Sequence, residues 1–209
     1  MIIFTPADLP RIEPDDWDTF WDIWDTHKKP LVKKIMNSPY SETPLGDDSV
    51  WVGLDIYKGP LAPHFPVSYE APFYDIKDRL PKLYDLISSI DKLGLVARLS
   101  QSSADIAPHT DNAKDKWHLR AYFHYTDPIQ QWYFTKPFQT EKRKYITLPD
   151  ETNWFMYNDL HAWHGTDFNP KINQKKILLQ FYSMNDFTLL ARRSIQKYSS
   201  YTIDFKELL

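Results

Sequence analysis

Between residues 93 and 184 the chain divides into short segments rich in aliphatic and aromatic residues, broken by turn residues about every ten positions. The segments are LVARLSQ (95–101), ADIAPH (104–109), HLRAYFHYT (118–126), QWYFTK (131–136), KYITLP (144–149), NWFMYN (153–158), AWHGTDF (162–168) and KILLQFYSM (176–184). Their length and their aromatic and β-branched content read as strands. Short strands following one another at this pace are the rhythm of a β-sandwich or jelly roll.

The chain before residue 93 reads differently. In PDDWDTFWDIWDTHKKP, Trp17, Phe20, Trp21 and Trp24 recur three and four residues apart, the spacing of one helical face. Asp15 or Asp16 precedes that stripe as N-cap, and Pro30 ends or kinks the helix. The stripe is expected to pack on a sheet. VWVGLDIY reads as a strand, and PKLYDLISSI as a second helix with Pro81 in its first turn. FTLLARRSIQKYS, near residues 187 to 199, reads as a closing helix. The expected architecture is α+β, mainly β, in a single domain over 1–209. It comprises a helical N-terminal layer (1–92) packed on one sheet, a strand-rich core (93–184) and a C-terminal helical extension (185–209).

Composition removes several chemistries. The chain has no cysteine, so thiolate metal sites, disulfides and Cys nucleophiles are absent. Its five glycines form no phosphate-cradling cluster. The net charge of −3, with scattered basic residues, gives no nucleic-acid footprint. No apolar run reaches spanning length and no signal peptide opens the chain, so a cytoplasmic protein without a membrane partner is expected. The oligomeric state is left open. Any metal site must be built from His and carboxylate.

Such residues cluster twice, in IAPHTDNAKDKWHLR and in NDLHAWHGTDF. Residues i and i+2 of a strand face one side, so His109 and Asp111 converge at a strand end. His161 and His164 both offer a third ligand from a distant segment. Two imidazoles and a carboxylate on one octahedral face leave three positions open, the donor set of non-heme Fe(II) oxygenases.

The order PHTD, HLRAYF, YNDLHAWHGT, KKILLQFY resembles the Fe(II)/2-oxoglutarate-dependent oxygenases, in particular their aspartyl/asparaginyl β-hydroxylase-like branch. The resemblance covers roughly residues 93 to 184. It implies a double-stranded β-helix (jelly roll, cupin-like) with iron at its mouth. The implied reaction couples 2-oxoglutarate oxidation by O2 to C–H hydroxylation, releasing succinate and CO2. Carried over, His109, Asp111 and His164 hold Fe(II), His164 being preferred to His161. Of Lys175 and Lys176, it favours Lys176 for the far carboxylate of 2-oxoglutarate, where most members of the branch carry Arg. Arg120 corresponds to a second co-substrate contact. His118 and Tyr122 share its face by the two-residue period and join the cofactor-binding set.

The implied substrate is a free amino acid or a peptidyl Asp/Asn-type residue. Three other readings stand beside this one, the third being nucleic-acid demethylation, against which the net acidity weighs. A cupin-type metalloenzyme without 2-oxoglutarate would use a different ligand spacing. A non-catalytic module would bind peptide or carbohydrate on aromatics such as Trp132, Tyr133, Trp154 and Trp163.

Overall fold

The structure, a computed structural model, describes residues 1–32, 51–59, 76–91, 95–102, 105–111, 116–122, 130–168, 177–183 and 186–209. The chain is mainly β. In order it forms β1 (Ile2–Pro6), α1 (Trp17–His27), β2 (Lys29–Val32), β3 (Trp51–Lys58), α2 (Pro81–Asp91), β4 (Leu95–Ser102), β5 (Ile106–His109) and β6 (His118–Tyr122). There follow β7 (Gln130–Lys136), β8 (Gln139–Tyr145), β9 (Trp154–Tyr157), β10 (Trp163–Phe168), β11 (Leu178–Ser183), α3 (Thr188–Lys197) and β12 (Ile203–Asp204).

The strands form two antiparallel sheets. The larger runs β12-β1-β9-β6-β11-β4-β3-β2, and the smaller β5-β10-β7-β8. From β4 onward the chain keeps crossing between them: β4, β6, β9 and β11 lie in the larger sheet, and β5, β7, β8 and β10 in the smaller.

Alternation along the central strands divides the interior into two cores. Leu119, Ala121, Trp154, Met156, Leu179 and Phe181 face one side of the larger sheet and cluster with residues of all three helices. Phe4, Tyr122, Phe155 and Tyr157 face the other side, where Trp132 and Phe134 of the smaller sheet meet them. The candidate residues His109 and His164 project into this second interior. Trp154 anchors the first. It is fully buried, lies 5.0 Å from the Phe181 ring and donates its indole N–H to the Pro10 carbonyl at 2.7 Å. Trp154→Ala is expected to cost about 3–5 kcal/mol through the cavity it opens, measurable as a shift in a denaturant midpoint.

The helices form as their sequences require. Asp16 caps α1, accepting from the backbone N–H groups of Asp18 and Thr19. Phe20, Ile23 and Trp24 are its buried face, with Trp17 and Trp21 packed at the margin. The residue before a proline is driven into extended backbone, so the helix stops at His27 and Pro30 lies in β2.

Two expectations are corrected. Residues 1–92 are not simply a helical layer, because β1, β2 and β3 all belong to the larger sheet. The segment IIFTP escaped notice because a strand between two neighbours, buried along four of its five residues, has no polar alternation. The strand expected at 144–149 lies at Gln139–Tyr145, with residues 146–149 beyond it. It is an edge strand exposed along Glu141–Tyr145, so QTEKRKY carries no apolar face to read. A tight turn precedes it, with Phe138 in left-handed backbone at φ 65.

Candidate metal centre

His109 ends β5 and His164 is the second residue of β10, and the two are direct partners in the antiparallel ladder. Cross-strand partners point the same way, so both imidazoles enter the space between the sheets. Their ring centroids are 4.5 Å apart. Pro108, just before His109, is tolerated because β5 is an edge strand. Asp111 follows in a bend beyond β5, so the convergence expected from strand alternation arises instead at a strand end. One ligand atom from each of His109, Asp111 and His164 lies within 4.8 Å of the others.

The orientation of each group suits a divalent cation. His109 Nε2 faces Asp111 Oδ1 at 3.5 Å, while its Nδ1 lies 2.8 Å from the Ala107 carbonyl oxygen. An Nδ1–H donating there leaves the Nε2 lone pair for a metal. His164 Nε2 lies 3.8 Å from Asp111 Oδ2, and its Nδ1 points back at Asp159. Its ring plane is set by Trp132, stacked at 4.8 Å with a 3° interplanar angle, and by Tyr157 at 4.8 Å. Ions of this kind sit about 2.0–2.2 Å from His nitrogen and carboxylate oxygen, so the three donors need close only modestly.

Asp111 is held from the larger sheet. The Tyr157 hydroxyl and the Arg120 Nη2–H both donate to its Oδ2, the latter at 3.1 Å. Its Oδ1 is thereby the oxygen turned toward His109. Arg120 is fully buried, also donating to the carbonyls of Leu119 and Phe181, with its guanidinium 5.5 Å from the Tyr157 ring centroid. Removing the hydroxyl in Tyr157→Phe frees one lone pair of the carboxylate. It is expected to weaken metal binding by about 10-fold, at the lower end of the range for such supporting bonds, as titration with Co(II) would measure.

Charge in the centre is uneven. Burial pushes His164 down to about 3, with the His109 charge adding to it against the two carboxylates. Burial also opposes the charged form of His109, but the hydrogen bond and charge of Asp111 and the Ala107 carbonyl outweigh it and raise its pKa above the ordinary 6.5. Burial would raise Asp111, yet His164, His109 and Arg120 together hold it well below the usual 3.8. Near neutral pH His164 is thus already neutral and Asp111 already ionised, and the proton competing with a metal sits on His109. Affinity is expected to fall as pH drops through and below the raised His109 value. In the same window up to one proton should be released per ion bound, which calorimetry in buffers of different ionisation enthalpy would measure.

The other sequence candidates are placed as follows. His118 stacks on Tyr157 at 4.9 Å, with its Nε2 3.4 Å from Asp159 Oδ1. Tyr122 is buried against Phe155, 5.2 Å between centroids. Arg120 reaches the carboxylate of Asp111. His161 is exposed and lies against Phe205, outside the gathered three. Lys175 and Lys176 lie outside the described residues. Of the aromatics considered as a binding platform, Trp132 and Trp154 are buried in the two cores, and Tyr133 is buried beneath the Arg143 guanidinium, 4.6 Å from its ring centroid. Trp163 is half-buried beside Phe138.

Sequence reasoning missed Tyr157 and Asp159. Tyr157 reads as one more strand aromatic in NWFMYN. Asp159 had a signal: a carboxylate in a short connector, five residues before a candidate ligand. Among the described residues no helix is long and apolar enough to cross a membrane.

No family model matches the chain, and no curated protein matches it. Among solved structures, the crystal structure of IDO from Bacillus thuringiensis is similar at 10% identity, covering 86% of this chain and 100% of that one, with a TM-score of 0.38. A likeness so distant carries neither fold nor activity across.

Proposed function

We propose that the protein is an Fe(II)- and 2-oxoglutarate-dependent oxygenase that hydroxylates a C–H bond of an amino acid or a peptidyl residue of the Asp/Asn type. The observation that carries this reading is the gathering of His109, Asp111 and His164 from two strand ends. Two imidazoles and one carboxylate are the donor set of the facial triad. The winding of β4 to β11, with β9-β6-β11-β4 set against β5-β10-β7-β8, supports a double-stranded β-helix of the jelly-roll kind. The resemblance in PHTD, HLRAYF, YNDLHAWHGT and KKILLQFY supports the 2-oxoglutarate branch.

Fe(II) held by these three residues would leave open positions for a keto acid and dioxygen, and that redox chemistry is what the ion supplies. The chain supplies placement. Arg120 and Tyr157 fix the Asp111 carboxylate, and Trp132 fixes the His164 ring. The aromatic interior buries the His164 ring, while the Asp111 side chain stays accessible to solvent. In this reading Lys176 holds the far carboxylate of the co-substrate.

The test is succinate formation from 2-oxoglutarate by anaerobically purified protein given Fe(II) and then air. A panel of free amino acids and Asp- and Asn-containing peptides would follow. Turnover above a His109→Ala control is expected, stimulated by the right substrate. No succinate with any of them, together with no binding of Fe(II) or Co(II), would overturn the reading.

A further inference from the structure

Asp159 lies in the connection between β9 and β10 and is fully buried, an environment that carboxylates enter only with partners. Its partners are three, and all belong to the centre. Its Oδ2 accepts the backbone N–H of Asp111 at 2.6 Å. The same oxygen is 3.7 Å from His164 Nδ1, and Oδ1 is 3.4 Å from His118 Nε2. Both ring nitrogens are buried, and neither has a closer hydrogen-bond partner among the described residues. A buried N–H without an acceptor is costly, and the Asp159 carboxylate is the group facing both. The two distances exceed hydrogen-bond length by only a few tenths of an ångström, so a small inward shift would make both bonds.

We propose that Asp159 is the positioning residue of the metal centre. It holds His164 through Nδ1 so that Nε2 faces the ion, ties the bend that carries Asp111 through its backbone N–H, and docks His118 of the larger sheet onto the same carboxylate. This rests on the reading of His109, Asp111 and His164 as metal ligands. The two ligand histidines are then steadied differently, His109 by the Ala107 carbonyl and His164 by a carboxylate. A carboxylate behind a ligating imidazole raises its basicity and fixes its tautomer.

The test uses the whole chain loaded with Co(II). Its paramagnetism shifts the protons of ligating histidines out of the ordinary NMR range. The wild-type protein is expected to give two shifted, solvent-exchangeable Nδ1–H signals, one from each histidine. In Asp159→Asn the His164 signal should be lost to exchange or displaced, because one amide oxygen cannot serve the Asp111 N–H and both rings. The His109 signal should persist, and the Co(II) Kd should rise about 10- to 100-fold.

Unchanged Kd with both signals in place would overturn the proposal. So would a raised Kd with the His164 signal unmoved, since the effect would then not pass through His164. Should Asp159→Asn fail to fold, the wild-type spectrum decides: a single exchangeable signal means that His164 has no protecting acceptor, and the proposal falls. Failure of the metal reading looks different, since wild-type protein would then bind no Co(II) and give no shifted signal at all.

Discussion

His164→Ala is expected to abolish metal loading and, with it, all turnover. Two donors would remain, one imidazole and one carboxylate. The loss should exceed the 10- to 100-fold typical of losing a mere supporting bond, so affinity should drop by at least about 100-fold. The substitution also removes the partner on which Trp132 stacks and the ring between Asp111 and Asp159. The buried ring also fills the space between Trp132 and Tyr157, so the cavity it leaves should cost the metal-free protein some stability as well. The control is His161→Ala. That side chain is exposed against Phe205, and its removal should leave the Co(II) titration within about twofold of wild type. Equal losses in the two variants would refute the assignment of His164 over His161.

Gly165→Ala is expected to weaken the centre as well, though Gly165 carries no donor. A Cβ at this position would lie 2.5 Å from the Tyr133 hydroxyl, 2.7 Å from its ring and 2.6 Å from the Ile106 carbonyl oxygen. The tyrosine could swing, but Ile106 is backbone of β5, and β5 is the strand that delivers His109. One methyl group therefore wedges β5 away from β10 at the point where their ladder already shifts register, between His164 and Thr166. Overpacking of this kind costs about 1–3 kcal/mol. Part of that cost should fall on the centre itself, because the two histidines are partners across that ladder. The expected result is a folded protein with a lowered melting temperature and Co(II) affinity reduced by about 10-fold or more. A Gly165→Ala protein that binds metal like wild type would mean that the β5–β10 spacing does not set the centre.

Much of this centre can be read in the chain, and the reasons are local. His109 and Asp111 are two residues apart and both sit at a strand end. His164 lies in a segment whose strand character is plain from its neighbours. Asp16 and the Trp17–Trp24 stripe mark α1 because capping and 3.6-residue periodicity are properties of adjacent residues. The elements that escaped are those whose signal is not local. β1 carries no alternation because strands flank it on both sides and four of its five residues are buried. β8 carries no apolar face because it is an exposed edge. Tyr157 looks like any core aromatic until the fold brings its hydroxyl to Asp111.

The same distinction holds for charge. Arg120 was legible as an arginine in an aromatic strand, which needs an anion nearby. Which anion it meets depends on β6 and the bend after β5 lying close in space, and it meets the Asp111 carboxylate.

From sequence alone come the β-rich character, the helix boundaries, the exclusion of thiolate chemistry and the candidate set of two histidines and a carboxylate. Spacing and periodicity determine these, and both act over a few residues. Only the tertiary structure decided that Arg120 and Tyr157 grip one oxygen of Asp111, and that Asp159 gathers His118, His164 and the Asp111 backbone. Those choices follow from the register of β5 on β10 and from the facing of the two sheets, which bring together segments that no local pattern relates.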